Sequence, residues 1–134
     1  MIPKLELSLD DAKKMADAAR AEAIKNGWRV VIAIVDDGGH TIYLERLDGT
    51  QKSSSIIAVE KARTAVLFQR PSKAFEDTVA GGRLVVMTLP GVTTVEGGLP
   101  VVVDGAYIGA IGVSGAKSPE DSQVAKAGLD ALMA

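Results

Sequence analysis

Four stretches of the chain carry the apolar spacing or the end signals of α-helices. The first has one apolar stripe at three- and four-residue steps, formed by Leu9, Ala12, Met15, Ala16, Ala19, Ala23 and Ile24. Ser8 and Asp11 have the spacing of a capping box, and Gly27 is a typical C-terminal stop. The pattern therefore predicts a first helix between Ser8 and Gly27.

The other three helices are indicated mainly by their ends. Pro71 closes a stretch that serines open, and Ser72 is placed to cap a short helix. Ser118 is predicted as the N-cap of the last helix, with Pro119 as its first helical residue. The predicted ranges are 51–71, 73–80 and 118–134.

Two further patterns are typical of antiparallel hairpins. Residues 30–35, VVIAIV, are a continuous β-branched run that predicts a buried strand, and the turn sequence DDGG joins this run to residues 40–47. Residues 40–47 alternate, which predicts one shared face for Ile42, Leu44 and Arg46. A second hairpin is predicted over 99–115, with Asp104-Gly105 at its turn.

Together these elements predict an α+β fold. Their order is helix, hairpin, helices, hairpin, helix, and the two hairpins favour a central antiparallel sheet covered by helices on at least one face. Too few strands are followed by crossover helices for a doubly wound parallel sheet. The segment 81–95 is expected to be mostly loop with some extended backbone. No linker or repeat divides the chain, so we expect a single domain over 1–134.

Composition narrows the classes of function. The 134 residues include no cysteine, which excludes a disulfide framework and a thiolate metal site. No apolar run approaches the roughly 20 residues of a membrane span, and the start lacks a signal-peptide core, so we expect a cytoplasmic protein. The net charge of −2 gives no general reason to bind nucleic acid or an anionic membrane.

Lys61 stands inside an apolar stripe of the second predicted helix. At about 100° per residue it shares an arc with Ile57, Ala65 and Phe68. Burying an ammonium group is costly unless the group is paired. The side chain therefore either packs its stem and keeps the amine in water, or directs the amine into a pocket toward a carboxylate.

Arg46 presents a similar choice at the end of its strand. Pairing with Asp48 near the surface is the commoner outcome for such a residue. If Arg46 instead converges with Lys61, the two cations would form a site for a carboxylate ligand, because arginine offers a bidentate fork.

The segment VEGGLP adds Glu96, Gly97 and Gly98 to the candidate site. Glycines in a turn expose main-chain N–H groups that can form an anion-binding nest, and an ordinary loop entering a strand has the same composition. Glu96 is a candidate partner for Lys61, or a general base if its pKa is raised.

Three glycines punctuate the last predicted strand, at Gly109, Gly112 and Gly115. Their spacing differs from the dinucleotide-binding fingerprint. The favoured interpretation is a strand without side chains on which a helix packs closely, and the alternative is a ligand pocket lined by bare backbone.

His40 is the only histidine. Its position after a glycine turn favours a solvated hairpin residue, and the alternative is an axial haem ligand or a pH-sensing group. No cluster of His, Asp and Glu has metal-ligand spacing, so no metal site is predicted.

The order of several motifs resembles one known family. Between Ser8 and Leu132 the chain contains D-x-G-G, R-x-D-G, K-A-x-T-A, G-G-x-P, D-G-x-x-I-G-A-I-G-V-S-G and a trailing E-D. In this order and spacing they resemble the GlcG/HbpS family, also described as haem-degrading-domain proteins and similar to the C-terminal part of PduO-type corrinoid proteins.

The resemblance implies a profilin-like fold, assembly into homo-oligomers and, in some members, binding of haem or a corrinoid. The chain departs from the family pattern conservatively at Leu47 and Thr50. With one histidine and no cysteine, a ligated haem would need His40, a methionine, a tyrosine or a lysine. Positions that match the family pattern include Arg46, Asp48, Lys61, Gly97, Gly98, Ser114, Glu120 and Asp121.

Three classes of function remain open. The favoured one is an oligomeric protein that holds a tetrapyrrole or another carboxylate-bearing ligand in a basic pocket formed by Arg46, Lys61, Ser114 and the Glu96–Gly98 loop. The second is a lyase, isomerase or hydrolase of small organic acids, with Arg46 clamping the carboxylate and Lys61 or Glu96 transferring a proton. The third is a structural or sensory protein whose helices form an oligomer interface.

Overall fold

One four-stranded antiparallel sheet organises the molecule. The computed structural model describes residues 1–134, and its strands lie in the order β2-β1-β4-β3. The elements are α1 (Leu9–Asn26), β1 (Val31–Asp36), β2 (Thr41–Arg46), α2 (Ser54–Leu67), α3 (Lys73–Ala80), a 3₁₀ helix (Leu84–Thr88), β3 (Gly98–Val103), β4 (Ala106–Ser114) and α4 (Ser118–Met133). The predicted α+β class with a central antiparallel sheet is confirmed.

Helices cover both faces of the sheet. The core beneath α1 and α4 includes Met15, Ile32 and Val124, all fully buried. On the opposite face, Val35 packs with the small residues of α2. β1 is therefore buried on both sides, which explains its continuous apolar run.

The ends of α1 form as predicted. The Ser8 hydroxyl accepts a hydrogen bond from the main-chain N–H of Asp11 at 3.0 Å, and the Asp11 carboxylate accepts one from the Ser8 N–H at 2.9 Å. Gly27 ends the helix in the left-handed region, at φ 73°. Local sequence is sufficient to define both ends because every partner lies within four residues.

Three local features differ from the expectation. The segment expected to be mostly loop with extended backbone contains the 3₁₀ helix, in which the Thr88 hydroxyl donates to the Val85 carbonyl at 2.7 Å. The N-cap of α4 is Lys117 and not Ser118, because the Glu120 carboxylate reaches back to the Lys117 N–H. An irregularity in the β1–β2 register breaks the alternation at Ile42, which packs with its neighbour Tyr43 against the α1–α4 core.

Two facing glycines allow α2 to lie directly on the sheet. Gly98 of β3 and Gly112 of β4 are partners in the ladder. A Cβ on Gly112 would lie 2.1 Å from the Ala58 carbonyl oxygen, and one on Gly98 would lie 2.1 Å from that of Lys61. The interpretation of Gly112 as a position of close helix packing is confirmed.

Candidate functional site

The candidate site contains a buried charged side chain, that of Lys61 of α2. The residue is 2% exposed, and its Nζ donates to the carbonyl of Val113 and to Oδ2 of Asp121, both at 3.0 Å. Of the two predicted alternatives, the one in which the aliphatic stem packs and the amine stays in water is therefore wrong. The ammonium group is enclosed and paired within the chain.

Gly97 makes room for this lysine at the start of β3. Its φ of 135° favours glycine, and a Cβ there would lie 2.9 Å from both Cδ and Nζ of Lys61. Gly98 lies under the backbone of α2, as described above. In this conformation the glycine pair of VEGGLP accommodates the lysine inside the fold.

Asp121 supplies the carboxylate that pairs with Lys61. It is 2% exposed, and its second oxygen, Oδ1, accepts a hydrogen bond from the Ala116 N–H at 3.0 Å. Burial raises the pKa of the Asp121 carboxyl, and the nearby Lys61 ammonium opposes that rise. Glu96 was the predicted candidate partner, and that prediction is wrong. The sequence did contain a signal for the true partner, because Asp121 is the second acid of the trailing E-D motif.

Glu96 lies elsewhere, beside α3. It is 9% exposed, and its main-chain N–H donates to the Glu76 carboxylate at 3.1 Å. Its negative charge contributes to raising the pKa of Lys73, although Asp77 contributes more. Glu96 is thus a buried acid that is not engaged with Lys61.

Arg46 and Ser114 lie at the same end of the sheet as Lys61. Val31 pairs with Arg46 on one side and with Ser114 on the other, so two strand spacings, about 10 Å, separate them. Arg46 is exposed and forms no ion pair with Asp48. Ser114 is buried, and its hydroxyl donates to that of Ser54 at 3.1 Å.

His40 lies at the opposite end of β2 from Arg46. Six residue steps along the strand separate them, which corresponds to about 20 Å. The imidazole is 77% exposed, and its Nδ1 lies 3.3 Å from Oδ1 of Asp36. Burial acts against ionisation of Asp36, but main-chain hydrogen bonds from His40 and Gly38 outweigh it and lower the pKa of that carboxyl.

This exposure agrees with the favoured prediction for His40, a solvated hairpin residue. A carboxylate beside Nδ1 is the usual orienting partner of a ligating histidine, and it leaves Nε2 free. The cations of the predicted basic pocket lie at the other end of the sheet, so one chain does not bring His40 and Arg46 to the same ligand atom.

Three hollows open on the surface, and the predicted site residues do not line them. Their volumes are 330, 480 and 460 Å³. Gly115, next to Ser114 in the chain, lines the second hollow, and Leu47, next to Arg46, lines the third. No helix is both long enough and apolar enough to cross a bilayer.

Comparisons with known proteins agree with this fold over nearly the whole chain. GlcG of Escherichia coli is 47% identical over 114 residues, which are 85% of each chain. The crystal structure of HbpS superposes with a TM-score of 0.89 at 35% identity, covering 97% of this chain and 92% of HbpS. The structure of a PduOC–haem complex has a TM-score of 0.85 at 30% identity and covers 95% of each chain.

Two further matches define the relationship. PduO of Salmonella typhimurium, a corrinoid adenosyltransferase, is 31% identical over 130 residues, which are 94% of this chain but only 39% of PduO. The family model described as "Haem degrading protein HbpS-like" matches residues 7–130. The chain therefore belongs to the HbpS-like family of haem-degrading proteins.

Proposed function

We propose that this protein binds a carboxylate-bearing tetrapyrrole, with haem as the first candidate and a corrinoid as the second. The observation that carries the proposal is the haem complex of PduOC, whose fold covers 95% of this chain. The exposed His40, oriented by Asp36, is the group that would ligate the iron. Arg46, exposed at the other end of β2, is the cation that would contact a propionate when two copies of the chain share the ligand.

The remaining predicted residues then support the ligand-binding end of the sheet. Lys61 lies against Gly97 and Gly98, its bond to Asp121 fixes its side chain there, and Ser114 follows Val113, whose carbonyl accepts from the same ammonium group. The Gly98 N–H already donates to the Ser72 hydroxyl at 2.9 Å, and the Gly97 carbonyl accepts from the Val113 N–H at 3.0 Å, so this glycine segment supports the site from inside the fold. Lys61 itself becomes available only if its bond to Asp121 breaks.

A haemin titration tests the proposal. We expect a saturable Soret shift with the wild type, a different Soret position with His40→Ala, and weaker binding by about tenfold with Arg46→Ala. Lys13→Ala is the control for Arg46, because Lys13 is also exposed but lies on α1. A wild type without a saturable shift would refute haem binding. Unchanged binding by the His40 and Arg46 variants would refute these two residue assignments.

An enzyme of small organic-acid catabolism is the alternative. The position of Glu96 favours it, because this carboxyl group is buried and is not bonded to Lys61. In this reading Arg46 clamps the substrate carboxylate and Glu96 transfers the proton, since Lys61 is already bonded to Asp121. Glu96→Gln should abolish turnover of a small hydroxy acid without altering the far-UV spectrum, and retained turnover would contradict this role.

We also propose that the protein assembles with further copies of itself. Leu84, Val85 and Met87 of the 3₁₀ helix are all more than half exposed, and they lie in one short segment. A contiguous exposed apolar segment is typical of a surface that another protein covers.

A further inference from the structure

The 480 Å³ hollow has the composition of a binding site that is separate from His40 and Arg46. It lies where three connections meet: the link from α1 to β1, the link from β2 to α2, and the link from β4 to α4. Its volume falls within the range of small-molecule pockets. Polar and glycine residues form most of its wall.

Arg29 is one cation of this wall, and two glycines, Gly49 and Gly115, leave room for it. A Cβ on Gly49 would lie 2.8 Å from Nη1 of Arg29 and 3.2 Å from its Cδ. A Cβ on Gly115 would lie 2.4 Å from the Arg29 carbonyl oxygen. Gly49 and Gly115 also have positive φ, 82° and 136°. Larger residues are therefore disfavoured there both by the close contacts and by the backbone conformation. The Arg29 side chain therefore lies against Gly49 and its main chain against Gly115, and the residue lines the hollow.

A second cation, Lys117, reaches the same hollow from the start of α4. Neither Arg29 nor Lys117 takes part in an ion pair within the chain. Glu120 also lines the wall, so two cations and one carboxylate give the hollow a net charge of +1. The main-chain N–H groups of Ala116 and Lys117, just before α4, already donate to Asp121 and Glu120. The positive charge offered to a ligand therefore comes from side chains.

Trp28 completes the hollow with a half-buried aromatic ring. From these contacts we infer that the hollow binds a small organic acid. The carboxylate lies between Arg29 and Lys117, where the guanidinium fork suits its two oxygens. A planar apolar body of the acid packs against Trp28.

The site can be tested directly because Trp28 is the only tryptophan in the chain. Benzoate is the probe, benzamide is its neutral isostere, and acetate is a carboxylate without the ring. We expect benzoate to change the tryptophan emission saturably and to bind more tightly than acetate or benzamide. Calorimetric titration then gives the affinities independently of the fluorescence signal.

Two charge variants and a matched control assign the contacts. Arg29→Gln and Lys117→Gln should each weaken benzoate binding by about tenfold and remove the preference for benzoate over benzamide. Lys13→Gln removes one equal charge from the exposed face of α1 and should leave the affinity unchanged. All three side chains are exposed, so thermal melting should confirm that each variant folds as the wild type does.

Three results would overturn the inference. They are equal binding of benzamide and benzoate, unchanged affinity in both Arg29→Gln and Lys117→Gln, and an equal loss in Lys13→Gln. The Soret shift tests haem binding, whereas tryptophan emission and calorimetry test the hollow. Failure of one proposal therefore does not affect the test of the other.

Discussion

At the scale of single residues, the decisive feature is the enclosed pair of Lys61 and Asp121. An ammonium group loses its water shell on burial, and the Val113 carbonyl and the Asp121 carboxylate replace part of it. The apolar stripe around Lys61 indicated that the amine needed either water or a carboxylate. It could not indicate which one, because the partner lies 60 residues away in the chain.

Removing the carboxylate should be strongly destabilising. Asp121→Ala leaves the Lys61 ammonium buried without its counter-ion, and we expect a loss of about 3–5 kcal/mol in the free energy of unfolding. Urea denaturation measures this loss. Asp130→Ala removes an exposed partner of Lys126 and should cost less than about 0.5 kcal/mol. Similar losses in the two variants would mean that the buried pair contributes no more than a surface pair.

At the scale of elements, small residues decide how closely α2 approaches the sheet. The β-branched runs and turn sequences were enough to predict both hairpins, because a strand pattern has a period of two and acts locally. Gly112 was correctly interpreted as thinning the strand under a helix, whereas Gly109 lies against Leu7 and the Val35 carbonyl and Gly115 against the Arg29 carbonyl. The 3₁₀ helix was not predicted, since its apolar run carries neither helical nor alternating spacing.

A methyl group at Gly112 should separate α2 from the sheet. Gly112→Ala places Cβ against backbone atoms of Ala58 and Ala62, at 2.1 and 2.7 Å, so the helix must shift. We expect a cost of about 3 kcal/mol in thermal or urea unfolding. Gly81→Ala is the matched control, because that glycine has φ −77° and its nearest neighbour would be 3.4 Å away. A neutral Gly112→Ala would show that the packing adjusts freely.

The capping box of α1 predicts a dependence on pH. Hydrogen bonds from the Ser8 main chain and side chain lower the pKa of Asp11 below its ordinary 3.8. A folded-state pKa below the unfolded value stabilises the protein above that unfolded value, and the contribution is lost as the pH falls through the lowered pKa. Asp11→Asn should therefore be less stable than the wild type at pH 7 and should approach it near pH 3, measured by urea unfolding. A difference that stays constant with pH would contradict the charged cap.

At the scale of the whole molecule, sheet order decides which residues share a site. Because the order is β2-β1-β4-β3, Arg46 and Ser114 lie at one end of the sheet while His40 lies at the other. The predicted basic pocket joined Arg46 to Lys61, but Arg46 is exposed, Lys61 is enclosed, and neither lines a hollow. The fold instead leaves Arg29 and Lys117 facing a hollow, and neither residue belongs to a recognisable motif.

Self-assembly is a further expectation at this scale. Light scattering after gel filtration should give a multiple of the 13.9 kDa chain mass for the wild type. Substituting Leu84, Val85 and Met87 together by Gln, Thr and Gln should reduce that mass. Met133→Gln changes an exposed apolar residue at the end of α4 and should not. A wild type of single-chain mass would refute self-assembly.

The sequence by itself determined the helices, the two hairpins, the antiparallel sheet and the family resemblance. Caps, turns and hydrophobic periodicity act over a few residues, so they can be interpreted without coordinates. Only the tertiary structure decided that Asp121 pairs with Lys61, that Glu96 lies beside α3, and that Arg29 faces a hollow with Lys117. These contacts join elements far apart in the chain, and burial and strand order select them after the local patterns are satisfied.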